Sequence, residues 1–180
     1  NFILEAPTRI IKATNKPVSS STITKYKSTQ KKLEAFEKHN KTKLKFTDLD
    51  LTFHKNFLHL ITSVQGIGKN TAGKYISTIK SLAREALLQG LPVNVELNHP
   101  NFFAPTEKTE DIYLKDKEVN IIYNHDFKND ERLENARDLF IIGLRTGLRV
   151  SDFLRLKQTN VKDGFIEIET QKTGQEVVIP

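Results

Sequence analysis

The sequence predicts a mainly α-helical protein that ends in a smaller α+β part. Residues 20–90 show apolar residues at helical spacing with no strand pattern between them. Residues 91–110 hold three prolines and no sustained period. Phe165-Ile166-Glu167-Ile168-Glu169 alternates in polarity, and a KTG turn and a second apolar run follow it, which is typical of a β-hairpin. We therefore expect a helical bundle, a linker and a second module that carries the hairpin.

The composition is that of a folded, water-exposed chain of one domain or two small ones. It has 180 residues, of which 37% are hydrophobic and 28% are charged. No run approaches the roughly 18 apolar residues of a membrane span, and NFILEAPTRI lacks the order of a secretory signal. The absence of cysteine excludes disulfides and thiolate zinc sites. The absence of methionine, even at position 1, leads us to expect a fragment or a processed form.

The charge is distributed unevenly along the chain. Residues 1–105 carry 16 Lys/Arg against 7 Asp/Glu, a net charge of +9. Residues 106–180 carry 12 against 15, a net charge of −3. This asymmetry indicates two modules, the first of which is attracted to a polyanion. A lysine-rich surface that serves only solubility is the alternative.

The first module is expected to be a bundle of three helices over residues 19–92, preceded by an arm or linker over residues 1–18. Tyr26, Leu33 and Phe36 fall near one face of the first helix, and the third helix has a continuous apolar stripe. The start signals are Ser20 or Ser21 for the first helix, Thr52 for the second, and Asn70 or Thr71 for the third, which Gly90 ends.

The second module is expected over residues 111–180, after a linker at 93–110. LKDKEVNIIYN predicts a short helix, and DERLENARDLFIIGLRTG predicts a long one that ends at Gly147. RVSDFLRL predicts a third helix before the hairpin. The order of elements is therefore helices first and strands last, as in an α+β domain.

Arg149 stands at a glycine-marked corner between two of these helices, three residues before Asp152. One helical turn apart, the two side chains share a face, so the carboxylate can hold the guanidinium. An ordinary intrahelical ion pair is the alternative. Lys172 lies at the tip of the hairpin, where a lysine is most often simply solvated.

Taken together, these motifs resemble a known family. TGLRVSDFLRLK and, after a gap of ten residues, IETQKTGQEVVIP resemble the motifs of the tyrosine recombinases, the phage-type integrase family. STITKYKSTQKKLEAF and KNTAGKYISTIKSLAREA look like the family's helical core-binding domain, and LKDKEVNIIYN is similar to the helix that opens its catalytic domain. The resemblance covers nearly all of residues 20–180. It implies a SAM-like core-binding domain at 19–92 and the first part of an α+β catalytic domain at 111–180.

The resemblance implies site-specific DNA recombination or integration through a 3′-phosphotyrosyl intermediate, without metal or cofactor. Arg149 matches the first catalytic arginine, Lys172 matches the catalytic lysine, and Asp152 takes the acidic position that supports the arginine. The family's nucleophilic tyrosine follows the hairpin, whereas the tyrosines of this chain all precede Arg149; they are Tyr26, Tyr75, Tyr113 and Tyr123. We therefore expect the full-length parent to be the enzyme and this chain to bind DNA without cleaving it.

The partners that the resemblance implies are double-stranded DNA at a recombination site and further protomers in a synaptic tetramer, in the cytoplasm at the bacterial nucleoid. No membrane partner is expected. A helix N-terminus favours phosphate through its free N–H groups and its dipole. The expected DNA-binding residues are Lys25, Lys27 and Lys31 on the first helix, and Lys69, Asn70, Thr71 and Lys74 at the start of the third.

Three other functions fit parts of the sequence. A non-catalytic DNA-binding or regulatory protein would use the basic module equally well, but it would leave the register of Arg149, Asp152 and Lys172 to chance. A type IB topoisomerase shares the arginine, lysine and tyrosine chemistry, although the compact bundle and the short linker favour the integrase type. An interaction bundle that binds no nucleic acid would make the charge asymmetry incidental.

Overall fold

The chain divides into two compact units in a computed structural model, which describes residues 10–11 and 16–180. The first, here called the helical unit, is Asn1–Thr109, and the second, here called the hairpin unit, is Glu110–Pro180. Of the arm predicted over residues 1–18, Ile10–Ile11 and Lys16–Pro17 pair as two short antiparallel strands, β1 and β2. Residues 1–9 and 12–15 of that arm lie outside the described residues.

The helical unit is all-α from residue 20 to residue 90, as the apolar period predicts. Its helices are α1 (Ser20–Asn40), α2 (Leu51–His59), which continues as a π-helical turn at Leu60–Val64, and α3 (Lys69–Leu88). Two short 3₁₀ turns, at Phe46–Asp48 and Val95–Asn98, complete the unit. The inner stripe predicted for α3 is confirmed for the six residues that are buried, Ala72, Ile76, Ile79, Leu82, Ala83 and Ala86. Tyr75, which also belongs to the predicted stripe, is only partly buried.

The helix starts lie slightly upstream of the predicted positions. Ser19, and not Ser20 or Ser21, caps α1, and its hydroxyl accepts from the Thr22 N–H at 3.3 Å. α2 begins one residue before the predicted Thr52, because the Asp50 carboxylate accepts from the Phe53 N–H at 2.6 Å.

The predicted cap of α3 is wrong. The N-cap is Gly68, which has no side chain to donate or accept, and both Asn70 and Thr71 lie inside the helix. The end is as predicted, because Gly90 adopts a left-handed φ of 80° directly after the C-cap.

An aromatic cluster forms the core of the helical unit. Phe53 lies at its centre, with ring centroids 5.2 Å from Phe36, 5.3 Å from Phe57 and 6.5 Å from Phe102. Stacked and edge-to-face pairs of this kind add to the free energy gained from burial alone. Phe36 lies on α1, and Phe53 and Phe57 lie on α2, so the cluster packs α1 against α2.

Phe102 belongs to the segment predicted as a linker, residues 93–110, and the structure differs from that prediction. Phe102 is fully buried, and Leu97 is 5% exposed in the same core. The Phe103 carbonyl oxygen accepts from His54 Nε2 at 2.7 Å, and the Phe102 carbonyl oxygen accepts from Lys80 Nζ at 2.8 Å. Residues 97–107, here called the strap, are therefore part of the helical unit, and the boundary between the units falls after Thr109.

The hairpin unit consists of three helices followed by a three-stranded antiparallel sheet. The helices are α4 (Asp116–Tyr123), α5 (Glu131–Thr146) and α6 (Val150–Phe153), which is shorter than the predicted RVSDFLRL helix. The predicted hairpin is confirmed as β4 (Phe165–Glu169) and β5 (Glu176–Ile179), with Ile168 opposite Val177. A strand that the sequence did not predict, β3 (Val161–Lys162), pairs with the other edge of β4.

The apolar residues of the long helix of the hairpin unit are only partly covered. α5 has no fully buried residue, and Leu139, Phe140 and Leu144 are 41%, 41% and 47% exposed. A helix normally packs its apolar stripe against a neighbouring element, so these residues are more exposed than is usual. None of the helices in the described part of the chain combines the length and the apolar character that a membrane span requires.

Candidate functional site

The glycine corner between α5 and α6 has a steric basis at both glycines. Gly147 ends α5 with a left-handed φ of 64°, and its N–H donates to the Gly143 carbonyl oxygen at 3.0 Å. At Gly143 an added Cβ would lie 3.1 Å from the ring of Phe153, so the absence of a side chain allows α6 to pack closely on α5. The chain therefore turns at this corner, and Arg149 follows as the extended N-cap of α6.

Asp152 is the buried polar residue of this corner. Its side chain is 0% exposed, and its Oδ1 accepts from Arg155 Nη2 at 3.1 Å and from the Gln171 main-chain N–H at 2.9 Å. The Gln171 N–H lowers the pKa of Asp152, burial raises it, and the Arg155 guanidinium lowers it further, so the pKa lies below its ordinary value. Asp152 Oδ2 is also buried, and it accepts no hydrogen bond from the described residues.

The predicted contact between Asp152 and Arg149 is not the one that the structure shows. Arg149 is exposed, and its guanidinium makes no hydrogen bond or ion pair with the residues that the structure describes. Two arginines stand three residues from Asp152, and its carboxylate pairs with the later one, Arg155, whereas Arg149 precedes the first helical residue in an extended conformation. Its positive charge still contributes to the lowered pKa of Asp152, as the smallest of the causes.

Lys172 lies in an ordered turn between β4 and β5. The turn is closed by Thr170, whose N–H donates to the Gln175 carbonyl oxygen at 2.8 Å and whose carbonyl oxygen accepts from the Gly174 N–H at 2.8 Å. Thr170 is 6% exposed, whereas Lys172 at the tip is exposed. The turn is thus held from within, and its lysine is free to contact another molecule.

Asp152 connects the two predicted catalytic segments. It lies one turn after Arg149 along the chain, and it binds the N–H of Gln171, the residue before Lys172. The structure therefore joins the Arg149 corner to the Lys172 turn within the hairpin unit. The catalytic roles of these residues remain predictions.

The lysines predicted to bind DNA are exposed. Lys25, Lys27 and Lys31 lie on α1, and Lys74 and Thr71 are exposed in the first turns of α3. Lys69 is exposed as well, and its Nζ lies 3.7 Å from a carboxylate oxygen of Glu107. An exposed pair at this distance contributes little to stability, so Lys69 can exchange this partner for another anion.

Asn70 differs from the other predicted DNA contacts because both polar atoms of its side chain already make hydrogen bonds within the protein. Its Nδ2 donates to the Glu107 carbonyl oxygen at 2.9 Å, and its Oδ1 accepts from the Glu107 N–H at 2.7 Å. Both polar atoms therefore hold the end of the strap on α3. The main-chain N–H groups of Lys69 and Asn70 themselves find no acceptor among the described residues, as at most helix starts.

Residues 3–95, just over half of the 180, match the family model of the phage integrase SAM-like domain. The chain belongs to the phage integrase family of tyrosine recombinases. This confirms the family that the TGLR and KTG motifs indicated, and it agrees with the bundle described for the helical unit.

Two phage integrases are similar to this chain in sequence. The integrase of Escherichia phage lambda is 30% identical over 121 residues, which are 63% of this chain and 31% of the relative. The integrase of Enterobacteria phage 434 is 30% identical over 118 residues, with the same coverage. The chain thus spans about a third of the length of these relatives.

Solved structures of lambda integrase share the fold. A lambda integrase tetramer bound to a Holliday junction matches 99% of this chain and 49% of its own, with a TM-score of 0.66 and 20% identity. A lambda integrase (75–356) dimer bound to a COC′ core site matches 91% of this chain and 56% of its own, with a TM-score of 0.66 and 22% identity. The predicted fold class, a helical bundle followed by a mixed unit with a hairpin, is confirmed.

Two residues of the corner were missed from the sequence. Arg155 stands at the same i,i+3 spacing from Asp152 as Arg149 does, so the spacing rule could have found it on the other side. Gln171 contributes a main-chain N–H, which any residue except proline supplies, so no side-chain pattern could have indicated it.

Proposed function

We propose that this chain is the DNA-gripping module and the first part of the catalytic domain of a site-specific tyrosine recombinase. The observation that carries the proposal is the link through Asp152, which holds the Lys172 turn against the Arg149 corner. In a DNA-binding protein without catalysis this link would serve the fold alone. The whole enzyme would recombine or integrate DNA at a specific site.

Arg149 and Lys172 take different steps of the reaction. A tyrosine oxygen attacks the phosphorus, a 3′-phosphotyrosyl bond forms, and the bond from phosphorus to the 5′ oxygen breaks. Arg149 donates two hydrogen bonds to the non-bridging oxygens, where charge grows in the transition state. Lys172 gives its proton to the departing 5′ oxygen, because an ammonium can lose a proton and a guanidinium hardly can. The energy of the broken bond is kept in the covalent intermediate, so the step needs no metal or nucleotide.

None of the tyrosines in the chain serves as this nucleophile in our proposal. Tyr26 and Tyr75 lie in the helical unit, where the Tyr75 hydroxyl is 3.3 Å from that of Ser28. Tyr113 and Tyr123 lie in the hairpin unit, ahead of α5. The half-exposed apolar residues of α5 support the presence of further catalytic-domain structure packed on this helix in the whole enzyme. These 180 residues alone should therefore bind duplex DNA and leave it uncut.

The helical unit provides the grip on DNA. The proposed surface takes its positive charge from Lys25, Lys27 and Lys31 of α1 and from Lys69 and Lys74 of α3. The free N–H groups of Lys69 and Asn70 add donors for a phosphate oxygen. Lambda integrase, which shares the fold and the family of this chain, has been solved bound to DNA. By that relationship we propose double-stranded DNA as the ligand of this chain.

Further protomers are the second partner that we propose. Lambda integrase is described as a dimer on a core site and as a tetramer on a Holliday junction. The whole enzyme that contains this chain would assemble on its recombination site as a synaptic tetramer, in the cytoplasm at the bacterial nucleoid. Analytical ultracentrifugation with a duplex that carries two core sites tests the assembly, and a monomer at every DNA ratio would refute it.

The DNA-binding part of the proposal is tested by fluorescence anisotropy with a labelled duplex. If about six phosphates are contacted, the affinity of the 180-residue chain should fall roughly 10³-fold between about 50 and 200 mM salt. The double variant Lys69→Glu, Lys74→Glu should bind more weakly and with a shallower salt dependence. The matched control, Lys38→Glu with Lys55→Glu, makes the same change in net charge at exposed positions outside the proposed surface. Equal losses in the two double variants would refute the proposed surface.

The missing nucleophile is tested with a suicide duplex, in which cleavage releases a short strand and traps the covalent complex. The full-length enzyme should give a protein–DNA band that resists denaturation, and the 180-residue chain should give none. A covalent band with residues 1–180 would show that one of the four tyrosines is the nucleophile.

A further inference from the structure

Arg155 joins the two halves of the catalytic corner by its guanidinium. Its Nη2 donates to Asp152 Oδ1 at 3.1 Å and to the Glu169 carbonyl oxygen at 2.9 Å, and its Nε donates to the Ser151 carbonyl oxygen at 3.2 Å. Ser151 and Asp152 belong to α6, whereas Glu169 is the last residue of β4. One side chain thus bridges the helix that follows Arg149 and the strand that leads to Lys172.

The bridge is built on a buried acceptor, which distinguishes it from an ordinary surface ion pair. The Arg155 side chain is 46% exposed, but the Asp152 side chain is 0% exposed. The loss of Arg155 would leave Asp152 Oδ1 with only the Gln171 N–H, and it would also leave the Glu169 carbonyl oxygen without this donor. A buried carboxylate that loses a donor is destabilised more than an exposed one.

The bridge and the Gln171 bond act on the same short turn from two directions. Arg155 holds Glu169 at the start of the turn, and Asp152 holds Gln171 inside it. Lys172 follows immediately, exposed at the tip. The position of the Lys172 main chain relative to α6 therefore depends on Asp152 and Arg155 together.

We propose that Arg155 is a positioning residue, which acts through Asp152 and Glu169 to hold the Lys172 turn against the Arg149 corner. Its catalytic consequence rests on the proposed function, in which Lys172 protonates the 5′ oxygen. Without Arg155 the turn moves away from the corner, so the ammonium of Lys172 no longer reaches the leaving group at the right distance. Arg149 keeps its place, because its corner is set by Gly143 and Gly147.

The bridge itself is tested in the 180-residue chain by hydrogen exchange of single main-chain N–H groups. In Arg155→Gln, the Gln171 N–H should exchange about tenfold faster, because its acceptor is no longer fixed. The matched control is Arg132→Gln, which removes an exposed arginine whose side chain bonds to none of the described residues. Arg155→Lys keeps the charge, so its exchange rate at the Gln171 N–H should lie between the rates of Arg155→Gln and of the control. This variant also serves as the test if Arg155→Gln fails to fold. An unchanged exchange rate at Gln171 in both Arg155 variants would overturn the bridge.

The catalytic consequence is tested in the full-length enzyme with two substrates. Arg155→Gln should cut a normal duplex about tenfold to a hundredfold more slowly than the wild type, in the range of a misplaced general acid. A duplex with sulfur in place of the 5′ bridging oxygen should restore most of the rate, as it should for Lys172→Ala, because a thiolate leaves without a proton. It should not restore Arg149→Ala.

The outcomes separate this inference from the proposed function. If Gln171 exchanges faster but the sulfur substrate gives no rescue of Arg155→Gln, Arg155 stabilises the fold and does not position Lys172. If the wild-type full-length enzyme cuts neither substrate, the proposed function fails, and the exchange rates still decide whether Arg155 holds the turn. Arg155→Gln that cuts the normal duplex at the wild-type rate would also overturn the positioning role.

Discussion

The buried carboxylate of Asp152 accepts a hydrogen bond of 2.9 Å from the main-chain N–H of Gln171, nineteen residues further along the chain. This contact joins α6 to the turn between β4 and β5. It fixes the position of the Lys172 turn relative to the Arg149 corner. It uses a carboxylate that is ionised in the folded state, since the same bond lowers the pKa of Asp152. The geometry of the corner should therefore depend on pH.

Acid should weaken the hairpin unit through Asp152. Its pKa is lower in the folded than in the unfolded chain, so its contribution to stability is complete above the ordinary carboxyl pKa of 3.8. The contribution is lost as the pH falls through the lower, folded pKa. Asp152→Asn should lower the urea midpoint at pH 7, and its difference from the wild type should shrink below about pH 4.

The control for this measurement is Asp163→Asn. Asp163 is exposed in a turn with a φ of 50°, a conformation that asparagine adopts as readily as aspartate. Its difference from the wild type should be small, because the Asp163 side chain makes no hydrogen bond or ion pair with the described residues. A constant difference for Asp152→Asn across the same range would show that the ionised form is not the one that holds the turn.

Arg149 should be required for cleavage and nearly dispensable for binding. Its guanidinium is unpaired among the described residues, so Arg149→Ala removes no bond of the fold. In the full-length enzyme, strand cleavage should fall about 10²–10³-fold, as when one preorganised donor is deleted, while the dissociation constant for duplex DNA changes little. Arg149→Lys should recover little of the rate, because a point charge does not give the two-pronged contact. An equal loss in binding and in cleavage would place Arg149 in ground-state recognition instead.

The periodic parts of the fold could be predicted from the sequence, and the corner only in part. Helical spacing and polar alternation gave the three helices of the bundle and the β4–β5 hairpin, because each buries one continuous face. The structure pairs the Asp152 carboxylate with Arg155 and not with Arg149, and spacing alone does not tell which of two i±3 neighbours makes this contact.

The strap could not be predicted because it has no period. Residues 97–107 bury single side chains, Leu97 and Phe102, and attach further through main-chain N–H and carbonyl groups, which no residue pattern reveals. Prolines and the lack of alternation are typical of a linker, and the same features fit a segment that lies extended on a helix. The cap of α3 was missed for a related reason, because the Asn70 side chain binds the strap and not its own helix.

Gly73 should be needed for the strap to pack on α3. A Cβ on Gly73 would collide with the Pro105 carbonyl oxygen, and the adjacent strap residues are fixed by Asn70. Gly73→Ala should therefore lower the free energy of unfolding of the helical unit by about 1–3 kcal/mol, although alanine is the better helix former. Ser77→Ala, at an exposed position of the same helix, is the control and should be neutral or slightly stabilising. Stabilisation by Gly73→Ala, measured by urea unfolding, would show that the strap does not lie on this face.

The helical unit should depend on the strap for its stability, so the bundle predicted over residues 19–92 should fold poorly alone. Phe102 is 0% exposed in the aromatic cluster, whereas its neighbour Phe103 is 55% exposed. In the 180-residue chain, Phe102→Ala should cost about 3–5 kcal/mol, since it leaves a cavity against Phe53, and Phe103→Ala should cost far less.

The same reasoning applies to the isolated pieces. Residues 16–109 should unfold cooperatively in urea, and residues 16–90 should show a lower midpoint or no cooperative transition, because truncation removes Phe102 and Leu97 together. Salt-sensitive DNA binding should follow the folded piece, since the lysines of α1 and α3 act as one surface only when their helices are packed. Equal urea midpoints and equal DNA affinities for the two pieces would mean that α1, α2 and α3 form a stable core without the strap.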